Sequence, residues 1–232
     1  MPRRQNYRGR KVLFPLGVVL IAVAGLSLTA GLNRWLVFLC GVGYLGLLDD
    51  LAAGPARGWR EHGRSVVRGE ISTGAIKAIG TVAFAAYAAA GEGPTGATFV
   101  ARVLVLCLCA HLGNLLDTRP GRPEKALALI GAVVCLASLS LGPLKPIAPL
   151  LPAVAAGAWF TLRERAMWGD TGASLIGGMI GVLLVTTLSP LGIGLALVAL
   201  VAISLYGEFH SISAAVERSL VLRRLDRLGR AD

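Results

Sequence analysis

Residues 191–209 read LGIGLALVALVAISLYGEF, an apolar run in which Glu208 is the only charged side chain. A helix needs about 20 such residues to cross the hydrocarbon core of a bilayer. Comparable runs are predicted at residues 13–31, 34–48, 74–91, 98–116, 125–142, 146–163 and 173–189. The sequence therefore predicts an all-α, polytopic bundle of about eight transmembrane spans, forming a single integral-membrane domain over residues 1–232.

The composition favours a membrane protein over a soluble one. Hydrophobic residues make up 55% of the chain and charged residues 16%, and the mean hydropathy is +0.69. Soluble domains average about 45–50% apolar and about 25% charged residues. The net charge of +10 is what clustering of Lys and Arg at one membrane face would give. We therefore expect a membrane, and no nucleic acid, as the partner of the basic residues.

The basic residues also predict an orientation. An even number of spans puts both termini on one side, and in this topology only Arg34, Arg102 and Lys145 lie on the other side. By the positive-inside rule the termini are then cytoplasmic, in an inner or plasma membrane. Of the acidic residues only Glu92 falls outside, although orientation does not require this. Because carboxylates at span ends are costly, they indicate a cytoplasmic functional site.

The last stretch, residues 216–230, alternates leucine and arginine at helical spacing. Leu220, Leu222, Leu225 and Leu228 form an apolar stripe, which predicts a C-terminal amphipathic helix. Such a helix either lies on the inner membrane surface or forms a solvated tail.

Two acidic motifs close predicted spans. Asp49 and Asp50 end the second span, and adjacent carboxylates can hold Mg²⁺ or accept a proton; the alternative is a stop signal at the interface. Asn114 and Asp117 end the fourth span three residues apart, hence on one helix face. Their oxygens could coordinate a hard cation.

Three further residues are candidates at span boundaries. Asp170, in Gly-Asp-Thr-Gly, opens the seventh span, where free N–H groups and the helix dipole favour anions; it could instead be the N-cap. Lys77 could bind a phosphate or extend its amine to the interface. His210 follows the eighth span, where a lone histidine is more often structural than catalytic.

Arg119 and Arg122 directly follow Asp117. Two guanidinium groups beside a turn could clamp a phosphate, so with Asp117 they are candidate substrate-binding residues. The alternative is that they serve only membrane orientation and helix capping.

These motifs occur in an order that resembles a known family. Leu48-Asp49-Asp50, then Asn114-Leu-Leu-Asp117, then Gly169-Asp170-Thr171-Gly172 resemble the polyprenyl-phosphate N-acetylhexosamine-1-phosphate transferase superfamily (glycosyltransferase family 4). Residues 9–17 are similar to its early cytoplasmic loop. The chain differs in its smaller number of spans and in reading Arg119-Pro120-Gly121 where the family has a further Asp-Gly.

The resemblance implies a reaction and roles. A polyprenyl phosphate would attack the sugar-linked phosphorus of a UDP-sugar and release UMP, in cell-envelope glycopolymer synthesis. Mg²⁺ would be held by Asp170, with Asn114 as co-ligand. Asp49 and Asp50 would orient or deprotonate the lipid phosphate, and Lys77 would neutralise phosphate. His210 would be what remains of a histidine-rich loop, and a homodimer is possible.

Other functions stay open at this stage. A transferase could use a different nucleotide-linked donor. A non-catalytic protein of the same fold could bind lipid phosphate or scaffold partners. A transporter is disfavoured, because paired charges near the bilayer midplane are expected there, whereas these acids lie at one edge.

Overall fold

The computed structural model describes residues 3–52, 73–91, 93 and 96–230, and most of these residues are helical. The α-helices are α1 (Val18–Leu28), α2 (Arg34–Ala52), α3 (Thr73–Ala90), α4 (Gly96–Leu116), α5 (Arg122–Ser138), α6 (Leu151–Leu162), α7 (Gly169–Thr187), α8 (Pro190–Phe209), α9 (Ile212–Arg218) and α10 (Leu220–Arg227). The predicted all-α class is confirmed. Residues 53–72, which separate the second and third predicted spans and include Arg57, Arg60, Arg64 and Arg68, lie outside the described residues, as does Glu92.

Five of these helices, α2, α3, α4, α7 and α8, are long and apolar enough to cross a membrane. The chain is therefore a membrane protein. The other three predicted runs form shorter helices: α1, α5 and α6. The run at 146–163 is divided because prolines at 146 and 149 lie in a 3-10 helix, Gly142–Leu150, that precedes α6. The total of eight spans and the cytoplasmic termini stay predictions.

A small β-hairpin precedes the bundle. Strands β1 (Arg3–Gln5) and β2 (Lys11–Leu13) pair antiparallel, and the Asn6 side chain shapes the turn by accepting hydrogen bonds from the backbone N–H groups of Arg8 and Arg10. Leu13 also pairs with the 165–167 segment. The prediction that a span begins at residue 13 is therefore wrong at its start: residues 11–13 form a strand, and helix begins at Val18.

Helix α7 is the centre of the bundle. Nearly all of its residues are buried, and it packs mainly against α2 and α4, with further contacts to α1 and α5. Three glycines on neighbouring segments allow the backbones to approach closely, because they have no side chain. A Cβ at Gly46 or at Gly113 would overlap a carbonyl oxygen of α7, and one at Gly17 would overlap the Gly172 backbone. Small residues at helix contacts commonly serve this purpose in membranes.

The C-terminal segment differs from its prediction. Instead of one helix over 216–230, the chain forms α9 and α10, which are separated at Ser219. The Ser219 hydroxyl accepts a hydrogen bond from the Leu222 N–H and so begins α10 as its N-cap. Serine favours caps because its side chain competes for backbone hydrogen bonds.

Candidate functional site

Four helix termini meet at one end of the bundle. The C-terminal ends of α2 and α4 carry Asp49, Asp50 and Asn114, while the N-terminal ends of α3 and α7 carry Lys77 and Asp170. The close approaches at Gly46 and Gly113, within one helical turn of these polar residues, bring them to the start of α7. The structure thus brings together the residues that sequence placed in separate motifs.

Lys77 lies between two carboxylates. Its Nζ is 2.7 Å from Asp170 Oδ2 and 3.4 Å from Asp49 Oδ2. The Thr73 hydroxyl, one turn earlier on α3, donates to Asp49 Oδ1 at 3.0 Å. The Lys77 side chain is 17% exposed and that of Asp170 is 43% exposed. An ammonium is therefore fixed next to carboxylate oxygens that a solute can still reach.

Asp50 has a different environment from Asp49. Its Oδ1 accepts the backbone N–H of Asp170 at 3.0 Å, and its Oδ2 accepts the N–H and hydroxyl of Thr171 at 2.9 and 2.6 Å. Asp50 therefore caps α7 from the neighbouring helix, satisfying N–H groups that otherwise lack partners. Asp170 is not the N-cap, since it lies within the first turn of α7.

Asn114 and Asp117 contact the same end of α7. Asn114 Oδ1 accepts the Ser174 hydroxyl at 3.1 Å, and Asp117 lies close enough to the Gly169 backbone N–H for that group to lower the pKa of its carboxyl. Burial raises the pKa of Asp117 well above its usual range, and the charges of Glu124, Asp170 and Asp50 raise it further. Asp117 is thus a carboxyl group that retains its proton more strongly than an exposed aspartate.

Two buried glutamates were missed by the sequence analysis. Glu124 accepts hydrogen bonds from the Thr161 hydroxyl and the Trp168 indole N–H, and its second oxygen has no hydrogen-bond partner in the part of the chain that the structure describes. Glu164 accepts the Tyr7 hydroxyl at 2.9 Å and the Asn6 amide at 3.2 Å. Both looked like ordinary charged residues at helix boundaries, so only their three-dimensional neighbours identify them.

A pocket adjoins Asp117 between the N-terminal hairpin and the ends of α4 and α6. Its lining includes Asn6, Tyr7, Thr118, Arg119, Thr161 and Glu164. The Arg119 guanidinium lies 4.4 Å from the centre of the Tyr7 ring, a cation–π distance. The pocket therefore offers an aromatic face, a cation and carboxyl oxygens together.

The two predicted clamp arginines have different partners. Arg119 pairs with Glu217 at 3.5 Å, and both side chains are partly exposed. Arg122 is buried, and its guanidinium donates to Asp226, Thr118 and Ser213. Arg119 can reach a solute in the pocket, whereas the Arg122 donors are used within the protein.

His210 lies at a second, neighbouring pocket. It follows α8, is exposed, and its ring stacks on Tyr206 with centroids 4.8 Å apart. Asn114 lines the same pocket. The structure therefore places His210 near the α4 end of the site, and no hydrogen bond or ion pair joins it to Lys77 or to the aspartates among the described residues.

The chemistry of the donors fits Mg²⁺. Among the described residues no group of three or more His, Cys, Asp or Glu is arranged as a metal site. However, Mg²⁺ is commonly held by one or two carboxylates together with water and substrate phosphates. Asp170 and Asp49 supply hard oxygen atoms, and Asn114 supplies an amide oxygen on the neighbouring helix.

No family model, curated protein or solved structure matches the chain.

Proposed function

We propose that this protein transfers a phospho-sugar from a UDP-sugar to a polyprenyl phosphate and releases UMP. The reaction would take place at the cytoplasmic face of an inner or plasma membrane, in cell-envelope glycopolymer synthesis. The observation that supports this most is the Lys77 ammonium held between Asp49 and Asp170 at the N-terminus of α7. The order of motifs, which resembles the transferase superfamily, supplies the reaction type.

Phosphoryl transfer depends mainly on positioning and on neutralising charge. A phosphate oxygen of the lipid forms a bond to the sugar-linked phosphorus, and the bond from that phosphorus to the bridging oxygen breaks. UMP carries away the electron pair of that bond. Lys77 neutralises phosphate charge, and Asp49 orients the incoming lipid phosphate and accepts its proton.

The metal and the donor have separate places in this proposal. Asp170 and Asn114 would hold Mg²⁺, which would neutralise the diphosphate charge. The nucleotide-sugar would bind across the mouth of the pocket beside Asp117, where the Arg119 guanidinium lies 4.4 Å from the centre of the Tyr7 ring. Asp50 is a positioning residue, because both of its oxygens already accept hydrogen bonds from α7.

The reaction can be tested directly. Purified protein is incubated with undecaprenyl phosphate, Mg²⁺ and a panel of UDP-sugars, and UMP is measured. Lys77→Ala should lower the rate by at least about 100-fold, the order lost when one charge-stabilising group is removed. Lys145→Ala is the matched control, because Lys145 is exposed in the 3-10 helix beyond the other end of α5. Equal rates in the two variants would contradict the assigned role of Lys77.

A non-catalytic role is the second candidate. The Lys77 ammonium already has two carboxylate partners and Asp50 is fully used in capping, as expected for a polar cluster that only binds lipid phosphate or stabilises a scaffold. That function predicts binding of undecaprenyl phosphate without UMP release for any donor. The transferase proposal requires both binding of undecaprenyl phosphate and release of UMP.

A further inference from the structure

The C-terminal helix α10 has an unusual distribution of polar and apolar residues. Its half-buried positions are Arg223 and Asp226, which lie three residues apart and so share one face. Ser219 before the helix and Arg230 after it are half-buried as well. This face lies against the protein, and every residue in it is polar. A helix docked on a protein in water normally turns its apolar side inward, so α10 is docked in the reverse orientation.

An ion-pair cluster holds the polar face in place. Asp226 accepts from Arg122 Nε at 2.7 Å and from Arg122 Nη2 at 3.1 Å. Arg230 Nη2 donates to Asp226 at 2.7 Å, and Lys125 Nζ donates to the Asp226 carbonyl oxygen at 2.6 Å. The Asp226 and Arg230 side chains are each 12% exposed. A bidentate, partly buried pair of this kind fixes orientation as well as distance.

The side of α10 that faces away from the bundle is exposed and largely apolar. Leu220, Val221, Leu225 and Leu228 are between 51% and 69% exposed. At 3.6 residues per turn, Val221 lies about 140° around the helix axis from Asp226, and Leu220 and Leu225 lie about 120° and about 100° from it on either side. Arg224, about 160° from Asp226, is exposed on the same side as these residues, and Arg227, about 100° from Asp226, is exposed at its border. Leucine side chains with arginines beside them are typical of helices that lie in the interface of a bilayer.

We propose that α10 is an interfacial anchor whose leucine face enters the surface of an anionic phospholipid bilayer, while Arg122 and Asp226 hold its polar face on the bundle. Arg224 and Arg227 contact the lipid head groups. The inference is independent of the transferase proposal, because it uses none of Asp49, Lys77 and Asp170.

Charge and continuity select the bilayer as the occupant. The exposed side of α10 carries the cations Arg224 and Arg227, and each Lys or Arg near an anionic leaflet contributes about 1 kcal/mol of attraction. Phe209, at the end of α8, is 69% exposed and begins the segment that leads to α10. A membrane surface therefore continues the apolar exterior of the bundle. A second copy of the chain would bring the same arginines together.

The test uses the full chain in lipid nanodiscs made from equal parts of phosphatidylcholine and phosphatidylglycerol. A photo-crosslinking benzoylphenylalanine replaces Leu225 on the apolar face or, as the matched control, Arg223 on the docked face. After illumination, mass spectrometry measures lipid adducts and gel electrophoresis measures crosslinked dimers. We expect lipid adducts at position 225 at least about fivefold more often than at position 223.

Two results at position 225 would overturn the anchor: crosslinked dimers in place of lipid adducts, or a yield of lipid adducts no higher than at position 223. The lipid preference is tested with the same probe. Phosphatidylglycerol adducts should exceed phosphatidylcholine adducts about twofold or more, and the double variant Arg224→Gln, Arg227→Gln should lose this preference while retaining the adducts. Equal yields of the two lipid adducts in the protein that retains both arginines would contradict a preference for an anionic membrane surface.

Discussion

Lys77 Nζ lies 2.7 Å from Asp170 Oδ2, and this contact joins the start of α3 to the start of α7. The two residues are far apart in sequence, and the region between them includes two of the membrane-length helices, α3 and α4. Their charges are opposite, while Asp49 adds a second carboxylate at 3.4 Å from the same nitrogen. Removal of the lysine charge therefore leaves two carboxylates facing each other.

This arrangement predicts a stability change. Lys77→Met should lower the free energy of unfolding by about 1 kcal/mol, a modest value because the pair is partly exposed. Adding Asp170→Asn should restore part of the loss, since the like charges no longer repel. A double-mutant cycle from thermal unfolding in detergent measures the coupling. Lys145→Met serves as the control, and additive effects of the first two changes would contradict the contact.

Mg²⁺ should compete with Lys77 for the same oxygens. In Lys77→Met the Mg²⁺ concentration that gives half of the maximal rise in Tm should fall about tenfold, equivalent to about 1.4 kcal/mol. The rise itself follows from binding to the folded state only. Asp170→Asn in the same background should abolish it. A rise that persists in the double variant would place the cation elsewhere.

The Asp50 cap predicts a structural loss. Asp50→Ala should cost about 2 kcal/mol, because several hydrogen bonds to the start of α7 disappear. For a chain of this size that corresponds to a fall in Tm of about 4–8 °C. Thr171→Val, which removes only the 2.6 Å hydroxyl bond, should cost about half as much. If Asp50→Ala unfolds like the unmodified protein but loses turnover, Asp50 acts on substrate instead.

The glycines between α4 and α7 predict steric sensitivity. A Cβ at Gly113 would overlap the Ala173 carbonyl oxygen, and one at Gly177 would overlap the Cys109 carbonyl oxygen. Gly113→Ala and Gly177→Ala should each destabilise the protein by about 1–3 kcal/mol. Gly25→Ala in α1 is the matched control, since nothing lies within 4 Å of its Cβ position. It should stabilise α1 by up to about 1 kcal/mol.

Asp117 predicts a dependence on pH. The unfolded chain loses this proton near the ordinary pKa of about 4, while burial keeps the pKa of the folded carboxyl well above that range. Between the two values the folded state binds more protons, so stability falls as pH rises. Asp117→Asn removes this fall. Its Tm should exceed that of the unmodified protein above about pH 5 and converge with it near pH 3.

The polar residues at the helix ends could be predicted from sequence, because charged residues and apolar runs indicate where each membrane helix stops. That is why Asp49, Lys77, Asn114 and Asp170 were identified from sequence and why the structure brings them together. Their grouping at one end of the bundle follows because successive membrane helices run in alternating directions.

Pairings across the chain could not be predicted. Asp50 caps α7 from another helix, and Arg122 meets Asp226 more than a hundred residues away. Periodicity reports only which face of a helix is apolar, and says nothing about which distant side chain satisfies a donor. The same limit explains Glu124, whose burial depends on Trp168 and Thr161.

Helix α7 has almost no surface outside the protein, since its neighbours cover it along nearly its whole length. A prenyl tail therefore has no exposed side of α7 along which to lie, although Asp170 stands at its first turn. In the proposed reaction, the lipid must bring only its head group to Asp170 while its tail stays among the outer helices. The lipid would then reach the site laterally, from the edge of the bilayer. Different parts of the protein would therefore select the lipid and the sugar.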